Sequence, residues 1–446
     1  MGSPRPPPLT RFATRASCVV DYSKPSIRAP DKRIVATGDE DAFYGVTARQ
    51  KSKGSVCTML DKILRAHGIK TGMYTSPYLS SYRDSIAVDG RSISCEDLDR
   101  VGETVLEAAD KLPKEDGELA VTEFEVITGL ALYHFKEVGA EYVILETGLG
   151  GALDSTNIAP AKVAVITSIS YDHMDVLGDS LAEIAKNKAG IIKEGATAVV
   201  NVDEEEALSV IKNEVCKKHA NIVRADEAVK INSVDYNKKF SLVDMSTASK
   251  NYGRIKFSLL GKHQLSNLKT VIATVGELKS AFGFCERHEI TVEALGDVHF
   301  SGRFEVFEGD AGCADIVLDG AHNVAGIEAL EQNVKLYYPN AKILAVTSML
   351  GDKQVDEILH RLCKFSNDVI FTEINNERRI SAHEMLEIAK QSEGNTGNYQ
   401  EIPDTGKAFT QAYDSRRNYD LILFTGSLYM MGDIRRRLHD EGGINI

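Results

Sequence analysis

The feature that most constrains the fold is a regular alternation of helical and strand-like patterns that starts near Val56. The segment "SVCTMLDKILRAHGI" has apolar residues at helical spacing and ends in Gly68, and "KTGMYTSP" then predicts a short strand running into a proline-stopped loop. The plan repeats in "EFEVITGLALYHFKEVG" with "AEYVILETGLGG", and in "KVAVITSISYDH" with "SLAEIAKNKAGIIK". Alternating strands and helices predict an α/β fold with a mostly parallel, doubly wound sheet.

A second α/β region follows a β-rich excursion at about residues 225–258. Its apolar strand candidates, separated by helical stretches, are "ADIVLDGAHN", "AKILAVTSML", "DVIFTEI" and "YDLILFTGS". At 446 residues the chain exceeds the length at which single cores usually split into domains. We therefore predict two domains, 31–299 and 300–446, behind an N-terminal tail at 1–30.

The overall charge and the cysteines narrow the class of protein. A net charge of -13, from 52 basic and 65 acidic residues, argues against a general nucleic-acid binder, whose surface would be basic. The seven cysteines are scattered and form no C-x-x-C pair, which favours reduced thiols in a cytosol-like compartment. No apolar run approaches the roughly 18 residues of a membrane span. We expect a cytoplasmic protein with neither a nucleic-acid nor a membrane partner.

The tail "MGSPRPPPLTRFATRASCVVDYSKPSIRAP" is rich in Arg, Ser and Pro and contains one acid, Asp21. This composition favours a disordered segment. The alternative is a transit peptide that directs mitochondrial import. Its early prolines oppose the amphipathic helix that such peptides use.

Three polar residues fall where predicted strands end, namely Ser76, Glu146 and His173. In doubly wound sheets, ligands gather beyond the carboxyl ends of the strands. Because these ends meet at one edge of the sheet, we expect the three side chains to converge there.

The stretch "TARQKSKGSVCTML" ends like a phosphate-binding loop. In such a loop, glycines let backbone N–H groups surround the phosphate, the lysine neutralises charge and the hydroxyl binds magnesium. Lys53, Gly54 and Ser55 match the end of that pattern, but no glycine precedes them in 49–52. Taken alone, the segment is more typical of a basic helix cap.

The other motifs change that balance. The segments "YTSPYLSSYRDSIAVDG", "ETGLGGALDSTN", "ITSISYDHMDVLGDSLAEIAKNKAGIIKEG", "GKHQLSN", "SGRFEV", "LDGAHN" and "FTGSLYMMGDIR" occur in the order seen in one family. The chain resembles the folylpolyglutamate synthase/dihydrofolate synthase family, a branch of the Mur-type ATP-dependent amide ligases, from about Lys53 to Arg435. The aspartate-histidine to lysine block and D-G-A-H-N are its most specific parts.

The resemblance implies a fold and a division of labour. The first domain, 31–299, would be a P-loop-type doubly wound ATPase domain that binds ATP, magnesium and folate. The second, 300–446, would be a Rossmann-like α/β domain that carries the glutamate-ligase function. The reaction expected of the family is ATP-dependent: a substrate carboxylate is phosphorylated, and the amine of L-glutamate attacks the acyl phosphate.

The resemblance also implies site residues. The Mg²⁺ ligands would be Ser55, Ser76, Glu146, His173 and Lys188, the last as a carbamylated lysine, because a bare ammonium beside Mg²⁺ would be repelled. The catalytic set would be Lys53, Lys188 and His322, with His322 at the incoming glutamate. ATP would contact Lys53, Gly54, Ser55, Asn267 on the base side, Arg303 on phosphate and Asp319 on the ribose. Folate or dihydropteroate would contact Phe124, Leu153, Asp154 and Ser155. We expect a monomer whose partners are ATP, L-glutamate and folate or dihydropteroate.

Several single-residue alternatives stay open. Lys188 could be a surface helix lysine, and Phe124 could belong to the core. Asp319 could be a strand-end cap, and His322 a satisfied loop histidine.

The chain departs from the family upstream of Lys53. The family loop G-T-N-G-K-G-S is replaced by Arg49-Gln50-Lys51-Ser52-Lys53-Gly54-Ser55, and residues 1–48 show neither a convincing helix nor a convincing strand. Downstream, Tyr78 replaces a histidine and Ala152 an arginine. Either the first residues come from an incorrect start or reading frame, or the protein has diverged.

Two alternative functions follow. One is a catalytically impaired relative that binds folate or nucleotide. The other is a ligase of the same architecture that joins a different amino acid to a different acid.

Overall fold

The computed structural model describes residues 44–49, 53–78, 81–112, 121–171, 174–351, 354–391 and 397–440. For residues 44–49, Lys53, Met174 and Asp175 it describes the backbone alone. Contacts divide the chain into two compact units. Unit 1 holds the residues up to 232 with 245–253 and 266–295, and unit 2 holds 233–244, 254–265 and the residues from 296 onward. The predicted tail at 1–30 lies outside the described residues.

Unit 1 alternates strands and helices. Its strands are β1 (Tyr44–Arg49), β2 (Thr71–Tyr74), β3 (Ile86–Val88), β4 (Arg91–Ser92), β5 (Tyr142–Glu146), β6 (Val163–Ile166), β7 (Thr197–Val200) and β8 (Asn221–Arg224). Its helices include α1 (Lys53–Ala66), α2 (Cys95–Ala109), α3 (Glu123–Glu137), α4 (Met174–Leu177), α5 (Leu181–Ala189), α6 (Glu205–Lys217) and α7 (Ala225–Ala228).

Over the described ranges, these strands form an eight-stranded sheet in the order β4-β3-β2-β5-β1-β6-β7-β8. The six strands from β2 to β8 in this order are parallel, whereas β3 and β4 pair antiparallel at one edge. The strands β5, β6 and β7 are buried along their whole length, which is typical of parallel strands covered on both faces. The predicted doubly wound sheet is confirmed.

One expectation from the sequence is wrong. Residues 1–48 were expected to lack a convincing strand, but Tyr44–Arg49 forms β1 in the middle of the sheet. It pairs in parallel with β5 on one side and with β6 on the other. The sequence YGVTAR contains three strand-favouring residues but lacks the continuous apolar run of β5 and β6. Two buried apolar neighbours supply hydrogen bonds on both of its edges, so pairing in the sheet decides its structure.

Two of the described unit 1 helices begin with a Ser/Thr-x-x-Glu pattern. At α3 the Thr122 hydroxyl accepts from the N–H of Glu125, whose carboxylate accepts from the Thr122 N–H, and Ser180 and Glu183 do the same at α5. Such reciprocal caps satisfy backbone donors that a helix start leaves unpaired. They fix where α3 and α5 begin, and these helices carry the predicted site residues Phe124 and Lys188.

Apolar residues pack the unit 1 helices on the sheet. One cluster joins α2 and α3 to β2 and β5, with Phe135 and Leu145 fully buried. Another joins α5 and α6 to β6 and β7, with Ile166 and Ile184 fully buried. Full burial of such a side chain contributes about 1.5–3 kcal/mol.

The β-rich excursion is confirmed as a three-stranded sheet of β9 (Val229–Tyr236), β10 (Ser241–Thr247) and β11 (Asn251–Phe257). Helices α8 (Lys262–Phe282) and α9 (His288–Leu295) follow. No helix in the described ranges is both long and apolar enough to cross a bilayer.

Unit 2 contains the second α/β sheet. Its strands are β12 (Glu305–Phe307), β13 (Asp315–Asp319), β14 (Ile343–Thr347), β15 (Asp368–Glu373), β16 (Asn398–Asp404) and β17 (Leu421–Thr425). Its helices are α10 (Val324–Tyr337), α11 (Val355–Phe365), α12 (Ala382–Gln391), α13 (Thr405–Asp414) and α14 (Leu428–Asp440).

The described part of this sheet has the order β12-β13-β17-β14-β15-β16, with β12 antiparallel and the others parallel. The four predicted apolar strands are present. The sequence missed β12 and β16, which occupy the edges. The side chains of β16 are mostly exposed, so it carries no buried apolar signal.

Candidate functional site

Two of the predicted metal residues touch at the carboxyl edge of the unit 1 sheet. Glu146 is the last residue of β5, and Ser76 follows the neighbouring parallel strand β2 by two residues. The Ser76 N–H donates to Glu146 Oε2 at 3.2 Å, and Glu146 is 5% exposed. The strand-end rule therefore placed these two groups correctly.

The structure describes the side chains of some of the other residues predicted for this edge, but not of all of them. Ser55 lies in the first turn of α1, which starts just beyond β1, and is buried. Lys188 lies in the last turn of α5 and is only 2% exposed, so it is not a surface lysine. Gly54 is buried as well. The side chain of Lys53, the loop residues 50–52 and His173 lie outside the described residues.

The donor set suits a hard cation. Within the described residues, no three His, Cys, Asp or Glu side chains gather as a metal centre. Of the predicted ligands in that part of the chain, Glu146 is the carboxylate, while Ser55 and Ser76 are hydroxyls. Mg²⁺ prefers oxygen ligands and usually takes one or two carboxylates together with substrate phosphates and waters. The buried Glu146 carboxylate beside Ser76 fits that demand.

The glycine-rich loop after β5 is braced by Asp154. This carboxylate is 7% exposed; its Oδ2 accepts from the Leu149 N–H at 2.8 Å and its Oδ1 from the Thr156 N–H at 3.0 Å. Ser155 begins the 3-10 turn that Asp154 caps. Both oxygens of Asp154 thus hold the loop, a role that the sequence did not reveal.

Phe124 packs on this loop. A Cβ on Gly148 would meet the Phe124 ring at 2.5 Å, so only glycine allows this approach. The Phe124 and Tyr74 ring centroids lie 5.9 Å apart, and Phe124 is half-buried against the core. Phe124 therefore packs partly against the core, and its contact with folate stays a prediction. Leu149 and Leu153 are 39% and 48% exposed, so the loop presents apolar surface to solvent.

The same loop is tied to the helix that carries Lys188. The Ala152 N–H donates to the Asn187 carbonyl at 2.9 Å, and Asn157 Nδ2 donates to the carbonyls of Ala152 and Gly190, each at 3.1 Å. A Cβ on Gly190 would meet Ala152 at 2.5 Å. The predicted folate loop and the end of α5 therefore form one packed assembly.

An aromatic cluster stands beside Phe124. The Tyr82 hydroxyl donates to Glu123, the residue before Phe124, and the Tyr78 and Tyr82 rings meet edge-on at 4.9 Å between centroids. Sequence reasoning singled out Tyr78 as a departure from the family, but missed Tyr82 and Glu123. Their separation of 41 residues hides the pairing.

Unit 2 has its own polar corner at the carboxyl end of β13. The Asp319 carboxylate is 8% exposed; its Oδ1 accepts from the Ala321 N–H and its Oδ2 from the Phe304 N–H, both at 2.9 Å. The Gly320 N–H also donates to the Gly302 carbonyl at 2.8 Å. The segments "SGRF" and "LDGAHN" are thus joined backbone to backbone, which brings Arg303 and Asp319 into one corner.

The electrostatics of this corner are unusual. Burial raises the pKa of Asp319 to about 6, although the Arg303 charge and the two N–H donors act in the opposite direction. Burial also lowers the pKa of His263 to about 4, assisted by Arg303. His263 is therefore a neutral imidazole at physiological pH. His263 lies in the sequence motif G-K-H-Q, but the sequence alone predicts no role for this histidine.

His322 and Asn323 complete the turn. The ring Nδ1 of His322 lies 2.8 Å from the Gly320 carbonyl, which makes Nδ1 the protonated nitrogen. Asn323 caps α10, because its Oδ1 accepts from the Gly326 N–H at 2.9 Å. His322 is half-buried and oriented from its own turn. Asn267, predicted on the base side of ATP, is 4% exposed near the start of α8 in unit 1.

A cavity of about 510 Å³ in unit 1 lies at the opposite edge, before β2 and β5. It is lined by His67, Ile69, Ala140, Glu141, Tyr142, Phe282, Gly283, Phe284, Cys285 and Arg287. Both nitrogens of His67 are used, since Nδ1 lies 2.8 Å from the Ile63 carbonyl and Nε2 accepts from the Arg287 N–H at 2.9 Å. We assign no ligand to this cavity.

Comparison with known proteins agrees with this geometry. The Mur ligase middle domain matches residues 53–275, and the Mur ligase glutamate ligase domain matches residues 302–428. The chain is 33% identical over 413 residues to the dihydrofolate synthase/folylpolyglutamate synthase of Bacillus subtilis, covering 92% of this chain and 91% of that protein. The corresponding Escherichia coli protein is 30% identical over 88% of this chain and 86% of its own length.

A solved structure extends the likeness to the fold. The Escherichia coli protein in complex with DHPP and ADP superposes with a TM-score of 0.77 at 26% identity, covering 98% of this chain and 93% of that one. Domain models, sequence relatives and fold agree over most of the chain. The chain belongs to the folylpolyglutamate synthase/dihydrofolate synthase family of Mur ligases.

Proposed function

We propose that this protein is an ATP-dependent ligase that adds L-glutamate to (poly)glutamyl tetrahydrofolate, to dihydropteroate, or to both, through an acyl phosphate. The observation that carries the proposal is the contact between Ser76 and the buried Glu146 at the carboxyl edge of the unit 1 sheet. This edge is where doubly wound folds bind nucleotides. A buried carboxylate there is costly unless a cation or hydrogen bonds compensate it.

Magnesium would be held by Ser55, Ser76, Glu146, His173 and a carbamylated Lys188. When bound, it offsets the charge of the ATP phosphates and of the carboxylate that they approach. Lys188 is buried in the last turn of α5, and a carbamate formed on it would be an oxygen ligand of the kind that Mg²⁺ prefers. Lys53 and Gly54 would contact the ATP phosphates next to Ser55, where the lysine would neutralise charge.

The unit 2 corner would serve the nucleotide and the glutamate. Asp319 would accept from the ribose, and Arg303 would stabilise negative charge that develops on the transferred phosphate. His322, whose Nδ1 lies 2.8 Å from the Gly320 carbonyl, would lie near the attacking amine of glutamate. Asn267 would contact the base.

The apolar loop would hold the folate-type substrate. Phe124 and Leu153 would provide contact area for a planar ring system, while Asp154 and Ser155 shape the loop. The domains would be 31–299 for ATP, magnesium and folate and 300–446 for glutamate ligation. A cytoplasmic monomer is the proposed state, with mitochondrial import as the alternative location if the N-terminal tail is a transit peptide.

The impaired-relative alternative is not favoured. The sequence similarity to a named synthase extends over about nine-tenths of the chain. β1 also leads the chain to the position from which a phosphate loop would start. The replacement of the family's loop residues at 49–52 can be tested directly.

The test is an assay of the purified full chain with ATP, Mg²⁺, L-glutamate and either tetrahydrofolate or dihydropteroate, following ADP and glutamylated product. A second protein carries Arg49→Gly, Gln50→Thr, Lys51→Asn and Ser52→Gly. Product from the unaltered chain supports the proposal. Product from the altered protein alone shows that the loop disables an otherwise competent ligase. No product from either overturns the ligase assignment.

A further inference from the structure

We propose that Asn201 is a positioning residue for nucleobase recognition, acting through the start of α8. This inference rests on the proposed function, because Asn267 is the residue it would position. Asn201 directly follows β7, at the carboxyl edge of the unit 1 sheet, and is 9% exposed.

The side chain of Asn201 is fixed by three contacts with α8. Its Nδ2 lies 2.9 Å from the Ser266 carbonyl, 2.8 Å from Ser266 Oγ and 2.9 Å from Thr270 Oγ1. Because the Ser266 carbonyl can only accept, the nitrogen of the amide must face the helix. Thr270 Oγ1 itself donates to the Ser266 carbonyl at 3.0 Å, so the Thr270 hydroxyl accepts from Asn201.

The backbone of Asn201 ties this contact to the sheet. Its N–H donates to the Ile166 carbonyl at 2.8 Å, and Ile166 is the last residue of the adjacent strand β6. Asn201 therefore joins the ends of β6 and β7 to one turn of α8. That turn includes Asn267, which directly follows Ser266 and is 4% exposed.

This arrangement explains why an amide is needed at position 201. Carboxylate oxygens cannot donate, so Asn201→Asp would set an acceptor against the Ser266 carbonyl. The two hydroxyls could bond to the new carboxylate only by turning to donate, and for Thr270 that gives up its present bond to the Ser266 carbonyl. Alanine would leave the buried Thr270 hydroxyl without its donor and would remove the bonds to the more exposed Ser266. In either case the first turns of α8 would lose their fixed distance from the strand ends, and Asn267 would lose its orientation.

The variants are Asn201→Asp and, as a milder change, Thr270→Val, which removes one acceptor and leaves Asn201 in place. Thr274→Val is the matched control. The Thr274 hydroxyl is buried one turn further along α8 and donates to the Thr270 carbonyl at 2.7 Å, with no contact to Asn201. This control variant loses a buried hydrogen bond of the same helix but keeps the contacts of Asn201 with Ser266 and Thr270.

The readout is the dissociation constant of fluorescent ADP and GDP analogues for the full chain, with Mg²⁺, alongside thermal unfolding. We expect Asn201→Asp to weaken ADP binding about tenfold and to weaken GDP binding much less, so that the preference for adenine narrows. Thr270→Val should give a smaller change in the same direction. Thr274→Val should lower the melting temperature and leave the preference unchanged.

Two outcomes overturn the inference. If Asn201→Asp and Thr270→Val lose thermal stability but keep the wild-type preference for ADP, the role of Asn201 is structural. If ADP and GDP affinities fall by the same factor, Asn201 does not orient the base contact. A wild-type chain that binds neither nucleotide would count against the proposed function instead, which separates the two claims.

Discussion

The carboxyl edges of the two sheets organise their polar residues in different ways. In unit 2, Asp319 is held by N–H groups of Ala321 and Phe304, so one turn and one neighbouring segment build the corner. In unit 1, the predicted groups come from separate elements, with Ser55 on α1, Ser76 after β2, Glu146 on β5 and Lys188 on α5. The unit 2 corner is organised by local backbone bonds, whereas the unit 1 edge depends on the assembled sheet.

The difference has a chemical meaning. A corner built from its own backbone bonds keeps its shape without a ligand and can orient ribose or an amine. The unit 1 edge gathers a buried carboxylate and a buried lysine from distant elements, and a cation with a carbamate is the ligand set that we propose for it. We therefore expect substitutions of the unit 1 edge residues to lower ligase activity. Substitutions in the unit 2 corner should also lower the free energy of unfolding.

The largest effect is expected for Lys188→Ala. If the lysine carries the proposed carbamate, its loss removes a metal ligand, and ligase activity should fall at least about a thousandfold, as losing a transition-state charge stabiliser does. Lys186→Ala is the control, because Lys186 lies on the same helix and is exposed. Activity and thermal unfolding are measured together. Near-normal turnover of a folded Lys188→Ala protein would refute the metal role.

A second prediction tests the self-contained unit 2 corner. Asp319→Asn keeps the shape but sets an NH₂ group against one of two backbone donors, so it should cost about 1–3 kcal/mol of unfolding free energy. ADP binding should weaken as well. The exposed Asp310 provides the control Asp310→Asn, which should change neither quantity. Chemical denaturation and ADP binding are the measurements, and unchanged stability of Asp319→Asn would contradict the account.

A third prediction concerns the apolar loop of unit 1. Gly148→Ala forces the Phe124 ring to move, because the new Cβ would lie 2.5 Å from it. Overpacking of this kind costs about 1–3 kcal/mol, and the KM for the folate substrate should rise several-fold with little change in the KM for ATP. Gly276→Ala is the control. Gly276 lies inside α8, and a Cβ added there would meet no atom within 4 Å beyond its chain neighbours and the backbone of the helix. Alanine should therefore stabilise the protein by about 0.5–1 kcal/mol. An equal rise in both KM values would argue against a local folate effect.

The smallest effect is a pH dependence. Because burial raises the pKa of Asp319 to about 6, the folded state favours the protonated acid. The resulting stability is complete below the unfolded pKa and is lost as pH rises through about 6. The unfolding free energy of the wild type relative to Asp319→Asn should therefore fall by about 1 kcal/mol between pH 5 and pH 6. A difference that grows with pH would show that Arg303 and the N–H donors outweigh burial.

The sequence predicted which strand ends meet better than it predicted individual side-chain contacts. The strand-end rule placed Ser76 beside Glu146, because parallel strands end at one edge. It could not show that Asp154 uses both oxygens on its own loop, or that Asn201 bonds to a helix 65 residues away. Such contacts depend on three-dimensional packing and leave no periodic pattern.

The fold shows the same limit. Four buried strands could be predicted because they consist mostly of apolar residues, namely β5, β6, β7 and β17. β1 could not, because its place between β5 and β6 comes from pairing partners about 100 residues away rather than from its own residues.

In the proposed reaction, a substrate carboxylate is phosphorylated and the acyl phosphate is then attacked by the amine of L-glutamate. The most direct test uses folate substrate labelled with ¹⁸O in its terminal carboxylate, with ATP, Mg²⁺ and L-glutamate. The carboxylate oxygen that bonds to the γ-phosphorus leaves with phosphate when the amide forms. We predict one ¹⁸O in the released phosphate, one ADP and one added glutamyl residue per turnover. Glutamylated product with unlabelled phosphate, or ADP release without product, would contradict the account.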